Sequence, residues 1–561
     1  MWRFLKKFAL VIVALVLITL IRNALEPEEA RPDLDLNPAP TSTTNLAQPD
    51  SHSFAPVNPF LAKGVNPLPH GDTAQQDATP IPGPMGKTRR LSENELTYQF
   101  LGPGHFGIYT SSPYANGKRV LWTNGVNGIY KLDEETYDII DHVPTEQAKK
   151  YDEAWANNIT DKLDDSNSIW SLGTGINALK PLLDLSGIYA LVGHNNWFYF
   201  ANKDGSIVAY GDEVEGDPKS NIVEKARFQL PPGDAGPSVG INLTYDGWIV
   251  FPTEDGIMIA VSMDLKTYKS VPLKHRDEED IETRGTGYGW VRNAIALDKD
   301  GGIYVASRNH MHKVVWTGDR LSSDEADGAW TARYRNGWGE GTGATPSLMG
   351  FGEEDKFVVI TDGDPRMNVT LFWRNEIPDD WQQIEGAPSR RIAGLAPVTM
   401  GELNVQKIQS EQTVIVAGYG ALVVNNTPRN APFFIPKEGS ARGVLIGPLG
   451  SNPKFQPYGM QKFQWNPAKR RLEEAWVNER ISSPNGVPWV STGSNQVYFM
   501  GARDNEWTFE AVNWMSGERT FHYILPGQKY NNEFSGPTID QQGRAFVGTI
   551  FGRMRIDTNA Q

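Results

Sequence analysis

The sequence contains no cysteine. Disulfides, thiolate nucleophiles, zinc–cysteine sites and iron–sulfur clusters are excluded, and so is a lipid anchor on an N-terminal cysteine. A chain without thiols suits an oxidising compartment. Positive charge is also scarce, with 53 Lys and Arg against 67 Asp and Glu and a net charge of −14. The basic footprint of a nucleic-acid partner is missing. What remains is 561 residues, 39% of them hydrophobic. That is more than one ordinary core holds, so the chain forms several domains or one repeat architecture.

Long apolar runs are nearly absent too. The exception is Phe8 to Ile21, preceded by Arg3, Lys6 and Lys7. Those cations stay cytoplasmic by the positive-inside rule, which sends the rest of the chain outward. Arg22 and Asn23 occupy the place where a signal peptidase needs small residues. Residues 1–25 are therefore expected to be an uncleaved signal anchor, a transmembrane helix, with the body held at the inner membrane and facing the periplasm or exterior. Cleavage would release it as a secreted protein. Residues 26–90 carry 12 of the 38 prolines and little periodicity. They are expected to be a disordered linker.

From residue 91 to 561 one pattern recurs: an apolar strand, a Gly/Asn/Asp turn and a second apolar strand. It begins at Arg119, Trp197, Trp248, Ile303, Phe357, Val414, Val497 and Ala545, and five of the seven intervals are 48–57 residues long. About fifty residues make one four-stranded blade with its loops, so the expected fold is all-β, an eight-bladed β-propeller. Each hairpin is expected to supply the two middle strands of a blade. The long intervals are read as a helical insertion near 145–165, where Ala148, Tyr151, Trp155, Ile159 and Leu163 recur at helical spacing, and a surface loop near 425–457. The last unit lacks a fourth strand. "ELTYQFLG", Glu95 to Gly102, is expected to close the ring.

"AVNWMSGERTF", Ala511 to Phe521, resembles the Ala-x-Asp-x-x-Thr-Gly-x-x-x-Trp repeat of the quinoprotein dehydrogenase superfamily, whose PQQ-like propellers have eight blades. Asn513, Ser516 and Phe521 replace its Asp, Thr and Trp. "AVSMDLKTY" from Ala260 is a fainter copy. The stretch from "GTGATPSLMG" to "NVTLFW" looks like an uncharacterised secreted bacterial subgroup rather than the PQQ enzymes. The resemblance implies the fold and a packing role for the repeat. It leaves PQQ and Ca²⁺ as candidate cofactors, since no stretch matches the enzymes' metal and base motifs residue by residue.

Three function classes stay open: a non-catalytic scaffold binding a small molecule or protein, a quinone-dependent oxidoreductase, and a metal-assisted hydrolase or lactonase. Loops entering the innermost strands gather at one end of a propeller and combine glycine with polar and aromatic side chains. His105, Trp290, Arg292, Asn293, Thr345, Asn485, Asn532 and Glu533 are the ligand-binding candidates there. Asp362, Asp364 and Asn368 form an oxygen-rich turn that could hold Ca²⁺. His310 and His312 point to one face of a strand and are expected to face solvent.

Overall fold

The computed structural model describes residues 16–18, 42–43 and 54–557, except 203, 235, 279–288, 403, 433–434 and 436–441. Among the described residues strands dominate and fall into eight sheets, each built on four antiparallel strands that follow chain order in all but the last. The innermost strands are Tyr109–Thr110, Ala190–Val192, Asn242–Leu243, Ala296–Leu297, Ser347–Met349, Ile415–Ala417, Trp489–Ser491 and Pro537–Ile539. They are short, as strands converging on an axis must be. This is a β-propeller, and these strands number its blades 1 to 8.

Blades pack face to face through apolar side chains that alternate along the strands. Between blades 6 and 7, Ile415, Leu422, Met460 and Trp476 meet Val490, Val497, Val512 and Trp514. The Ala511–Phe521 stretch lies in blade 7, with Val512 and Trp514 toward blade 6 and Ala511 and Phe521 toward blade 8. Ala511 and Phe521 are fully buried partners across a strand pair. Asn513 Oδ1 accepts the N–H of Met515 and Ser516 to make the turn. Gly517, at φ +73°, has no room for a Cβ, which would lie 2.5 Å from the Trp476 ring. The repeat is a packing device.

The ring closes as expected. Leu96–Phe100 pairs antiparallel with Gly552–Ile556, from Leu96 opposite Ile556 to Phe100 opposite Gly552. The unit at Val414 differs from expectation. Its hairpin supplies the innermost and second strands, Ile415–Ala417 and Gly420–Val424, and the third strand waits until Met460–Asn466. The intervening segment is no plain surface loop, because Val444, Leu445, Ile446 and Leu449 are buried. Val444, Leu445 and Leu449 join the buried Ala156, Ile159 and Leu163 of the insertion helix Glu153–Asp165 in one apolar cluster.

The largest correction concerns the expected linker. Residues 54–90 pack onto the propeller, with Leu68, Ala74, Gln75 and Gln76 wholly buried. Residues 66–77 fill the central channel. The carbonyls of Asn66, Pro67, Thr73, Ala74, Gln76 and Asp77 accept the N–H of Thr110, Val192, Leu297, Leu348, Val416 and Val490 at 2.7–3.0 Å. These donors belong to blades 1, 2, 4, 5, 6 and 7, taken in ring order. Asn242 of blade 3 adds a side-chain bond to the Thr73 carbonyl. The physical reason lies in the innermost strands, which present unpaired N–H donors to the axis; the carbonyl of any residue answers them, and Pro67 is the one proline among the six acceptors. The segment continues along blade 7, where Ala78–Thr79 and Arg89–Arg90 pair parallel with its inner and outer strands.

The expected anchor, residues 1–25, and the linker up to 53 lie outside the described residues apart from 16–18 and 42–43. Among the described residues no helix is long and apolar enough to cross a membrane. His310 and His312 are buried rather than solvent-facing. The His310 ring stacks on His275 at 4.4 Å, and His312 bonds to Ser307 and Thr331. Strand Trp330–Arg333 covers them as an extra strand on blade 4.

Candidate functional site

An innermost strand enters the ring at one end, so eight entry loops surround one mouth. In this protein they enclose a funnel of about 480 Å³. Every blade contributes to its wall: Phe106, Tyr189, Val239, Arg292, Thr345, Gln412, Trp489 and Thr538 stand for blades 1 to 8. Asn66, Pro69, His70 and Asp77 of the channel segment also line it, and form its floor.

Several of the funnel's charged groups are engaged with neighbours. Arg292 reaches Glu411 at 2.6 Å and Glu340 at 3.8 Å. Lys407 lies over the Trp338 ring at 3.5 Å. On the floor, His70 Nδ1 meets Asp77 Oδ2 at 2.8 Å and Oδ1 at 3.0 Å. Burial raises the Asp77 carboxyl above its ordinary range, and His70 opposes that rise. Burial also raises the Tyr189 phenol, and the Asp77 charge adds to the effect.

Arg292, Asn293 and Thr345 line the funnel, and Asn293 Nδ2 donates to the Thr342 carbonyl. The other five ligand-binding candidates are buried in the entry loops behind the wall. His105 bonds to Thr123 and the Leu101 carbonyl. Burial and nearby Arg553 push its pKa down to about 3. Trp290 packs over Gly256. The Asn485 carbonyl accepts from Gln412, and Asn532 Nδ2 donates to the Ser535 carbonyl. Glu533 lies against Gly447, and burial raises its carboxyl well above the ordinary range.

The oxygens of the other candidate turn are engaged within the protein. Asp362 accepts the backbone and side-chain N–H of Asn368 and is pushed up to about 7 by burial. Asp364 pairs with Arg335 at 2.8 Å. No group of three His, Asp or Glu side chains suited to a metal occurs among the described residues. Gly236 to Gly240 spells Gly-Pro-Ser-Val-Gly, the pattern of a nucleophile elbow. It runs into an innermost strand instead of turning into a helix, and Ser238 Oγ donates to the Ala201 carbonyl.

Sequence reasoning did not find His70 and Asp77, because they fall in the proline-rich segment assigned to the linker. Their clue is local: "NPLPHGDTAQQD", Asn66 to Asp77, is too rich in turn formers and amides for a plain spacer.

No family model matches the chain. An uncharacterised protein of Archaeoglobus fulgidus is 32% identical over 570 residues, spanning 98% of this chain and 99% of that one. Among solved structures, a quinohaemoprotein alcohol dehydrogenase of Pseudomonas putida superposes with a TM-score of 0.50 at 10% identity, covering 90% of this chain and 81% of that one. A second such dehydrogenase, from Comamonas testosteroni, has a TM-score of 0.49 at 12% identity over 90% and 82%. The likeness to the Pseudomonas putida enzyme is one of fold, a β-propeller.

Proposed function

The chain belongs to the same family as the uncharacterised Archaeoglobus fulgidus protein, and from that premise we propose that it is a membrane-tethered, extracytoplasmic propeller that binds a small polar molecule in its funnel. One observation carries the reading. All eight blades and the chain's own N-terminal segment contribute to a single concave site of about 480 Å³, the size range of small-molecule pockets. Amides, hydroxyls and aromatic rings face a cavity whose lining sets Arg292, Lys407, Arg442 and Arg553 against Asp77, Glu254, Glu340 and Glu411. That lining favours a neutral or zwitterionic ligand over a strong anion. The tether rests on the sequence, through the cations before Phe8–Ile21.

The test is a thermal-shift screen of small polar metabolites. A ligand should raise the melting temperature of wild type, and Arg292→Ala and Thr345→Trp should each reduce its affinity about tenfold or more. A ligand that binds both variants unchanged sits elsewhere.

A quinone cofactor with its calcium is the alternative that the shared fold raises. The residues present fit it poorly. Asp77, the carboxylate on the floor, is committed to His70, and the buried Glu533 is turned toward Gly447. An absorbance spectrum after incubation with PQQ and Ca²⁺ separates the two readings.

A further inference from the structure

The His70–Asp77 pair is more than the channel segment needs to fill the axis. That task is performed by backbone carbonyls. The pair instead has the geometry of an oriented base. Both Asp77 oxygens lie within 3.0 Å of His70 Nδ1, the arrangement of a carboxylate that accepts the hydrogen of the Nδ1–H tautomer. The lone pair is left on Nε2, which lies 3.5 Å from Thr413 Oγ1. His70, Asp77 and Thr413 all line the funnel.

The backbone that presents the pair is strained. His70, Gln75 and Asp77 have φ of +61°, +59° and +53°, the left-handed region that non-glycine side chains avoid. Strain of this kind persists where surrounding contacts over-determine it, and it clusters at functional sites. The contacts here are the Asp77 N–H donating to the His70 carbonyl and Gln75 Nε2 donating to the Pro69 carbonyl.

We propose that His70 is a general base at the funnel floor, oriented by Asp77 as a positioning residue, and that it activates water against an ester-type carbonyl held above it. The water oxygen bonds to the acyl carbon as its proton passes to Nε2. That proton then moves to the leaving oxygen as the acyl C–O bond breaks, giving an acid and an alcohol with no change of oxidation state. The proposal goes beyond binding and rests on the funnel being the ligand site.

The experiment uses the full chain with p-nitrophenyl acetate as probe, following p-nitrophenolate. His70→Gln should lower kcat/KM at least tenfold. Asp77→Asn should lower kcat more than it raises KM, because the imidazole loses its tautomer. His194→Gln, which changes an exposed histidine, should match wild type. Thermal melts check that the variants fold. If His70→Gln does not, diethyl pyrocarbonate on wild type replaces it, and carbethoxylation of His70 mapped by mass spectrometry should track loss of turnover. No turnover above buffer, equal turnover in a folded His70→Gln protein, or His70 modified without loss of rate each overturns the base and leaves the binding site standing. His194 modified while His70 stays intact overturns both, because the funnel is then closed.

Discussion

A carboxyl that loses water on folding and gains no cation is a pH-dependent burden. Glu533 is fully buried, and desolvation is the one cause of its strongly raised pKa. The folded protein therefore holds this proton more tightly than the unfolded chain does. The sign follows: stability is greatest below the ordinary value of 4.5 and falls as pH rises from there toward the folded value. Glu533→Gln keeps the shape and removes the titration. Its melting temperature should equal that of wild type at pH 4 and exceed it at pH 8, the gap corresponding to about 1–3 kcal/mol of stability, the usual cost of a buried polar group left without a partner. A gap that does not widen with pH would show that Glu533 has a partner in solution. This residue was singled out in the sequence as a funnel candidate because Asn, Glu and Gly share its loop. The loop was legible, but which of its side chains face the cavity was not. That depends on the angle at which a loop leaves its strand, and neighbouring blades set the angle.

The strands were the legible elements, because alternation of apolar and polar residues is written locally and a fifty-residue period repeats it. The closing strand Leu96–Phe100 was legible for the same reason, aided by an unfinished last blade. The channel segment was not. Its order comes from acceptors meeting donors on six separate innermost strands, from Thr110 on Asn66 to Val490 on Asp77, contacts far apart in the chain, and its proline content points the other way. Truncation separates the two accounts. Removing residues 1–52 should leave the melting temperature within a degree or two of wild type. Removing 1–90 should lower it sharply or abolish folding. Six backbone hydrogen bonds to the innermost strands are lost, at roughly 0.5–1.5 kcal/mol each. So is the burial of Leu61 and Leu68, at roughly 1.5–3 kcal/mol each. Equal melts for the two truncations would mean that the ring needs no axial segment.

At the scale of the molecule, the segment changes how the propeller would be attached under the proposed tethering. A linker ending at residue 90 would leave the ring free to swing on a long leash. With residues 54–90 packed from the channel to the outer edge of blade 7, the leash ends at the base of the ring, and any pull on the N-terminus bears on seven blades through one turn of chain. Backbone that is paired and buried resists proteolysis, whereas exposed backbone is cut first. Membranes carrying the full chain should therefore retain the protein through a salt wash. Limited trypsin treatment should release a folded body, and sequencing its new N-terminus should place the first lasting cut no later than Lys63. A body that starts after Arg90 while keeping its melting temperature would show the channel segment to be dispensable. Release by salt alone would show that Phe8–Ile21 does not hold the protein at the membrane.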